Sequence, residues 1–313
     1  MKSNYLHLTG GLGNQLFQWS ALLSMSIDKR PIIDVVNGLP RNTPNGKPDL
    51  LSFNLPVETD ISQKEMMALT RKFVGYSLRS HVTPKNLEKI PLFLCLVRMV
   101  TSLLVSCHYR RFVSVRVSTD LGYDRDFKVG RGNNYLIGYF QSEVWPKKIL
   151  STSLDHLRVL QKSNLVDKYK ELSKWEQPLV VHMRLGDYLD EESFGIPNEE
   201  YYRTAINKLV GLNNYNKIWL FSDEPDKALS RLPRELPLEV RIIGTTGLTS
   251  AETLEVMRWG SGYIIANSTF SWWGAYLSHS INPKVIFPKP WFRSLQNPAL
   301  LTPSNWEGVN VYY

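Results

Sequence analysis

Cysteine is nearly absent. Cys95 and Cys107 are the two in 313 residues, twelve positions apart, with no Cys-x-x-Cys pair. A disulfide-stapled scaffold is excluded, because a chain of this length buries a sizeable core without covalent help. A structural zinc centre lacks its thiolates. The two thiols read as buried side chains in a reducing compartment. A secretory leader is not expected either: Met1 to His7 holds one lysine and no apolar run. There is no internal repeat and no low-complexity tract. Long apolar runs are missing with one exception, Pro91 to Cys107, which is interrupted by Arg98 and flanked by Lys85, Lys89, Arg110 and Arg111. At 17 residues it sits at the lower limit for a bilayer span. A buried helix is the preferred reading, with a helix lying on a membrane surface and a true span as the alternatives.

What is present is ordinary for a globular protein: 43% hydrophobic and 21% charged residues exclude a disordered chain. At roughly 150 residues per domain the length implies about two domains. Lys and Arg number 37 against 29 Asp and Glu, a net charge of +8. That excess fits a phosphate-bearing ligand, nucleic acid or an anionic membrane surface without choosing among them. Arg110, Arg111 and Arg116 are not interleaved with stacking aromatics, so a nucleic-acid partner is not expected.

The chain opens as a strand (4–9), a glycine loop (Gly10-Gly-Leu-Gly13), a helix (14–27) and a second strand (31–36). Residues 37–60 are rich in Pro, Asn and Gly and read as a long loop. After a strand at 135–140 and a polar helical stretch from Lys147 to Trp175, strands at 179–182, 217–221, 240–243, 262–266 and 284–287 alternate with helices at 199–212, 224–231, 249–260 and 271–280. Such alternation predicts parallel sheets with ligand sites at the strand C-termini. The division is expected at 1–170 and 171–313, with the extreme C-terminus packing back on the first domain.

Four motifs hold residues suited to chemistry. Gly10-Gly-Leu-Gly-Asn-Gln-Leu-Phe-Gln18 joins glycines to a helix N-terminus, which favours an anion. Gly11 and Gly13 fit the first two glycines of a dinucleotide fingerprint, and Asp34 stands where a ribose-binding carboxylate would. The third glycine is replaced by Leu16. A plain tight turn and another phosphate or sugar site stay open. In Val180-Val-His-Met-Arg-Leu-Gly-Asp-Tyr188, Arg184 can fork two donors onto a pyrophosphate; the plainer reading is an Arg184–Asp187 pair that shapes a turn. In Gly262–Leu277 an apolar strand runs into Asn267, Ser268 and Thr269 at the start of a helix, an anion cradle or an ordinary cap, with Trp272 and Trp273 read as core rather than as stacking platforms. In Leu220-Phe-Ser-Asp-Glu224, Ser222 and Asp223 either meet ribose hydroxyls or cap the next helix. Asp124-Arg-Asp126 matches a metal-binding pattern but lies in a polar connection, and no metal is expected there.

Together with Gly138-Tyr-Phe-Gln-Ser-Glu143, Pro197–Ile206 and Pro288–Phe292, these motifs resemble in order and spacing those of glycosyltransferase family 11, the α-1,2-fucosyltransferases, of a bacterial type. The resemblance implies a GT-B-like α/β fold in which two Rossmann-type domains face a cleft, the first holding the acceptor and the second GDP-β-L-fucose. It implies inverting transfer without metal or cofactor. Arg184 would grip the β-phosphate, His182 would sit near the nucleotide, and Ser222 and Asp223 would meet the ribose or base. Ser268, Thr269, Phe270 and Ser271, following Asn267, would cradle the pyrophosphate, Asn14 would reach the donor from the other domain beside Gly11 and Gly13, and Glu252 would stand in for the guanine-binding carboxylate. Where the family usually has two consecutive arginines, the second position here is Leu185, so Arg184 acts alone or with a residue such as Arg258.

Single displacement needs a group to take the acceptor's proton. The candidates are Asp187, Asp190, Glu191 and Glu192, with Glu192 favoured by the resemblance and Asp187 expected to orient Arg184. The expected activity is transfer of fucose to a hydroxyl, O2 of a galactose-type residue first, of a glycan acceptor, free or lipid-linked, in O-antigen or other surface-polysaccharide synthesis. Another hydroxyl or another GDP-sugar is the nearer alternative; a nicotinamide-dependent oxidoreductase and a non-catalytic sugar-binding protein are more remote. A cytoplasmic enzyme, peripheral at the inner membrane face, is the expected location.

Overall fold

The computed structural model describes residues 1–34, 48–55, 60–62, 68–82, 91–149, 157–244 and 247–312. The chain divides into two units, Met1–Arg158 with Pro298–Leu301, and Val159–Asn297 with Thr302–Tyr313. The division falls at 158/159 rather than at 170/171, because the helix at Asn164–Glu176 packs on Ser250–Met257 of the second unit. The helix expected from Lys147 to Trp175 is not continuous: one segment covers Val144–Ile149 and a second begins after Ser163, with 157–163 non-helical between them. Of the C-terminal region, Pro298–Leu301 alone joins the first unit, where the Ala299 carbonyl accepts from Tyr123 N (2.9 Å) and the Leu300 carbonyl from Glu143 N (3.0 Å).

The first unit is built from β1 (Ser3–His7), α1 (Leu12–Ser24), β2 (Arg30–Asp34), β3 (Asp60–Ser62), α2 (Ala68–Val82), α3 (Pro91–Tyr109), β4 (Val113–Val117), β5 (Asn133–Ile137) and α4 (Val144–Ile149). Its parallel sheet runs β3-β2-β1-β5-β4. The order reverses between β1 and β5, so the loops that leave these strands diverge and open a crevice at their C-terminal ends. The loop expected over 37–60 lies mostly outside the described residues, and Asp49–Ser52 within it forms a short 3-10 turn.

α3 departs from its expected role. Val97, Thr101 and Val105 are its buried residues, while Cys95 and Cys107 are exposed, so neither the buried helix nor the buried thiols hold. Its inner stripe packs on α2 and β4. A helix laid along a sheet edge with one covering helix has only this stripe to bury, and the apolar residues on its other side face outward.

The second unit contains α5 (Asn164–Glu176), β6 (Leu179–Met183), α6 (Glu199–Leu212), β7 (Ile218–Ser222), α7 (Pro225–Ser230), β8 (Val240–Ile243), α8 (Ser250–Met257), β9 (Gly262–Ile264), α9 (Thr269–Tyr276), β10 (Lys284–Lys289) and β11 (Glu307–Asn310). Its parallel sheet runs β11-β10-β9-β6-β7-β8. Counted within the unit this is 6-5-4-1-2-3, the doubly wound nucleotide-binding order, with its switch point between β6 and β9. Helices cover both faces, so the central strands are enclosed: all five residues of β6 are buried, four of them apolar with His182 between Val181 and Met183. Trp219, Trp272 and Trp273 are completely enclosed, which fixes the tryptophan pair as core.

In the first unit the crevice between β1 and β5 is sealed by side-chain amides. Gln18 of α1, fully buried, accepts from Thr9 N (3.0 Å) after β1 and donates to the Gly138 carbonyl (3.0 Å) after β5. Leucine at this position fits by volume but leaves both backbone groups unsatisfied. Gln18→Leu is therefore expected to lower stability by about 2–3 kcal/mol, read from the urea midpoint at unchanged m-value.

Candidate functional site

The glycine loop follows from its backbone. Gly10 has φ +76°, a left-handed conformation, and a Cβ there would lie 2.5 Å from Asn14 Nδ2, so only glycine fits. Gly11 is the N-cap residue of α1 and faces open space, while Gly13 is buried in the first turn. Asn14 Oδ1 accepts from Gln141 Nε2 (3.0 Å), and Gln15 donates to the Gly10 carbonyl (2.9 Å) and accepts from Leu50 N (3.0 Å). The Asn-Gln pair that a dinucleotide fingerprint leaves unexplained thus ties loops together at the strand ends. Asp34, the expected ribose ligand of that reading, is fully buried and accepts from Tyr135 OH (2.7 Å) and Tyr109 OH (3.1 Å). It faces the interior, which removes the structural basis of the nicotinamide reading.

In the second unit the motifs gather at the switch point. β6 delivers Arg184 past its C-terminal end, partly exposed, with Nε and Nη2 on Asp187 Oδ1 (2.9 and 2.8 Å) and Nη1 on Asp223 Oδ2 (3.1 Å). Asp223, just past β7, also accepts from Leu185 N (2.9 Å) and Gly186 N (3.0 Å). A single carboxylate therefore fixes both the backbone after the arginine and the guanidinium itself. A Cβ at Gly186 would approach Asp223 Oδ2 to 2.6 Å, which makes glycine part of the arrangement. The guanidinium also lies 5.9 Å from the centre of the Tyr188 ring, and Tyr188 OH donates to the Asn267 carbonyl (3.0 Å). That bond joins the β6 loop to the segment after β9. Burial raises the Tyr188 phenol well above its usual range, so it remains a donor.

His182 precedes Arg184 on β6, is 5% exposed, and has its ring 6.2 Å from that of Phe270 at the start of α9. Burial first, and then the Arg184 charge, push the imidazole down to about 3, so it is neutral at ordinary pH. Its Nδ1 is buried with no hydrogen-bond partner among the described residues. Ser268 is the N-cap of α9 without a side-chain cap, and Ser271 Oγ donates to the Ser268 carbonyl (3.2 Å). The first-turn N–H groups of Thr269, Phe270 and Ser271 therefore have no intrahelical acceptor and carry the positive end of the helix dipole, as an anion cradle requires.

Not every candidate is brought to this cluster as a ligand group. Asp223 is engaged by the loop it organises, and Ser222 Oγ accepts from Glu224 N (3.1 Å) in the same turn. Asn267 is almost completely buried, and its Nδ2 donates to the Phe194 and Gly195 carbonyls (2.9 Å each), fixing the turn behind the site. Glu252 closes a capping box with Thr249 and accepts from Ser163 N (2.7 Å). Burial would raise this carboxyl, but the hydrogen bonds from Thr249 and Ser163 outweigh it and hold it down to about 2. Its carboxylate is spent on its own unit.

Leu185 is completely buried in the core with Tyr201, Tyr202 and Leu220. The position where a second arginine is usual therefore points away from the guanidinium of Arg184. Arg258 cannot replace it: at the end of α8 it donates to the Leu277 carbonyl (2.9 Å) and to Glu255 (2.7 Å), beside the N-terminal ends of the strands, the edge opposite Arg184. Asp187 is exposed and orients Arg184; Glu191 accepts from Ser193 Oγ (2.6 Å); Glu192 is exposed. Asp124 accepts from Thr119 N (2.7 Å) and Asp126 N (2.9 Å), shaping its own turn. Among the described residues no three His, Cys, Asp or Glu side chains gather as a metal-binding group.

Sequence reasoning missed Tyr188 and the function of Gly186, although both stand inside the arginine motif. The Gly-Asp-Tyr sequence after Leu185 was the available signal. Leu185→Arg places a charge in a closed apolar core and is expected to cost at least about 3 kcal/mol without raising turnover. A urea titration of that variant checks it, and wild-type stability with faster turnover would show position 185 reaching the donor.

Known proteins resemble this chain in sequence and in fold. The chain is 26% identical over 298 residues to an α-1,2-colitosyltransferase of Escherichia coli, covering 91% of each chain. It is 25% identical over 325 residues to the O-antigen biosynthesis glycosyltransferase WbnK of Escherichia coli, covering 96% of this chain and 99% of that one. The selenomethionine structure of fucosyltransferase NodZ from Bradyrhizobium superposes with a TM-score of 0.50 at 12% identity, covering 95% of this chain and all of that one. That likeness shows the fold, which is GT-B-like. The family profile of Glycosyl transferase family 11 matches residues 116–298, a span that holds the arginine motif, Asp223 and the α9 cradle. The chain belongs to glycosyltransferase family 11.

Proposed function

We propose that this glycosyltransferase moves L-fucose from GDP-β-L-fucose, with inversion and without a metal, to a hydroxyl of a glycan acceptor in surface-polysaccharide synthesis, with O2 of a galactose-type residue as the position. The observation that carries the reading is Arg184, held by Asp187 and Asp223 past the C-terminal end of β6, in a loop whose Tyr188 hydrogen-bonds the Asn267 carbonyl just before α9. When the sugar–phosphate bond breaks, the nucleotide gains negative charge while the sugar becomes oxocarbenium-like. A guanidinium already oriented, together with the free N–H groups of α9, stabilises that charge without reorganising. No metal is needed for this step, because the positive charge is supplied by a side chain that never deprotonates.

In this mechanism neutral His182 and the ring of Phe270 line the donor side, with His182 Nδ1 available to a nucleotide group. The acceptor's proton passes late in the displacement to a carboxylate of the exposed segment after the arginine motif, for which Glu192 is the choice. Asp187 is the positioning residue for Arg184. Acceptor contacts are assigned to the first unit, and the chemistry takes place on the cytoplasmic side of the inner membrane.

One observation favours a second donor. A relative of this chain is a colitosyltransferase, and colitose is fucose without its 3-hydroxyl. A pocket that hydrogen-bonds that hydroxyl rejects the analogue lacking it by 10⁴–10⁵, whereas a pocket shaped for hydrogen accepts both sugars far more evenly. Competition between the two GDP-sugars for one acceptor reads this directly.

The test is transfer from GDP-fucose to galactose-terminated oligosaccharides in excess chelator, with the linkage assigned by NMR. Arg184→Ala is expected to lower kcat on the order of 10²–10³, with Arg184→Lys recovering little because the fork is lost. Glu192→Gln is expected to lose more than tenfold. Near wild-type turnover in either arginine variant overturns the assignment, and a smaller loss at Glu192 moves the base to Asp190 or Glu191.

A further inference from the structure

The face of α3 that the fold leaves uncovered is apolar. Leu92, Leu96, Met99 and Leu103 follow one another at i, i+4, i+7 and i+11, so they form one stripe, and they are 79%, 52%, 55% and 60% exposed. Phe112, three residues past the helix, is 78% exposed and extends the apolar surface beyond the C-terminal end of α3. Large contiguous apolar surface on a folded protein marks a place where something else binds.

Charge identifies the partner. α2, α3 and the following Arg110-Arg111-Phe112 contain six Lys and Arg and no Asp or Glu. The rest of the chain then holds 31 basic residues (37 less these six) against 29 acidic ones, so most of the net +8 resides in this hairpin. Arg110, Arg111 and Lys72 are exposed. An apolar stripe bordered by cations matches the hydrocarbon boundary of a bilayer and the anionic headgroups above it. A second copy of the chain fits worse, because a two-fold contact would bring the same cations face to face with no acidic residue on α2, α3 or Arg110–Phe112 to pair with them.

We propose that α3 lies in the plane of an anionic phospholipid bilayer, with Leu92, Leu96, Met99, Leu103 and Phe112 in the acyl boundary and Arg110 and Arg111 among the headgroups. α3 is 19 residues long and apolar enough to cross a membrane, but Val97, Thr101 and Val105 fasten its other face to α2 and β4. Spanning would strip those contacts; lying flat keeps them and buries the outward stripe. This surface is independent of the donor site and stands or falls separately from the sugar assignment.

The test is flotation of the full chain with vesicles of phosphatidylcholine alone or containing phosphatidylglycerol, at low and high salt. Binding is expected with the anionic vesicles only and to be released by salt. Met99→Glu with Leu103→Glu is expected to weaken it by about tenfold or more, and Arg110→Glu with Arg111→Glu by a similar factor at low salt. All four positions are exposed, so the melting temperature is expected to hold. A dye on Cys95, with Cys107→Ser, keeps the test open should those variants misfold. Its emission is expected to shift blue on anionic vesicles and to be quenched by shallow rather than mid-bilayer brominated lipid. Four results overturn the proposal: failure of the wild type to float, binding indifferent to the arginine changes, mid-bilayer quenching, and a dimer in solution that the stripe variants dissolve while vesicles leave the protein unbound.

Discussion

Arg184 leaves β6 between two carboxylates, and the arrangement of the second unit around the switch point depends on how it is held there. Asp223 accepts from the N–H groups of Leu185 and Gly186 and faces the guanidinium, so the backbone that carries the arginine and the arginine itself share one anchor. Because Arg184 is 37% exposed, these ion pairs contribute little to stability. Their effect is orientation. The two carboxylates hold the guanidinium at the C-terminal end of β6 in one orientation, and electrostatic catalysis depends on that kind of preorganisation.

The buried neighbours of the arginine follow from the same constraint. His182 is buried beside a fixed cation, and burial first, then that charge, keep its imidazole neutral at ordinary pH. Leu185 alternates to the opposite face of the extended chain and fills the core beside Tyr201 and Tyr202, so the chain devotes one residue of the motif to charge and the next to packing. In the first unit the same economy appears in amides: Asn14, Gln15 and Gln18 stand in one helical turn and a half and each binds a loop at the strand ends.

Much of this was legible in the sequence, for identifiable reasons. The strand expected at 179–182 forms as Leu179–Met183, and the helix expected at 199–212 forms as α6 with those bounds. Arg184 and Asp187 were legible because a charged residue at the end of a buried strand has nowhere to go but the edge. The rest depended on contacts between residues distant in sequence. Asp223 lies 36 residues beyond Asp187, and only the β6–β7 register shows that it serves the loop rather than standing free. Glu252 carries the right charge at about the right place, but a threonine three residues earlier makes it a cap. The exposure of α3 was hidden for the same reason: composition reports how apolar a helix is and not which of its faces has a neighbour.

The measurement that bears most directly on the central claim is the melting temperature in excess chelator with GDP, GDP-fucose, UDP-glucose or NAD, for the wild type and for Arg184→Ala. Binding to the native state raises the melting temperature by mass action, so no acceptor has to be known. The account predicts a rise with GDP and GDP-fucose alone, strongly reduced in the variant. A rise with NAD or UDP-glucose, or an equal rise with GDP in the variant, would contradict it.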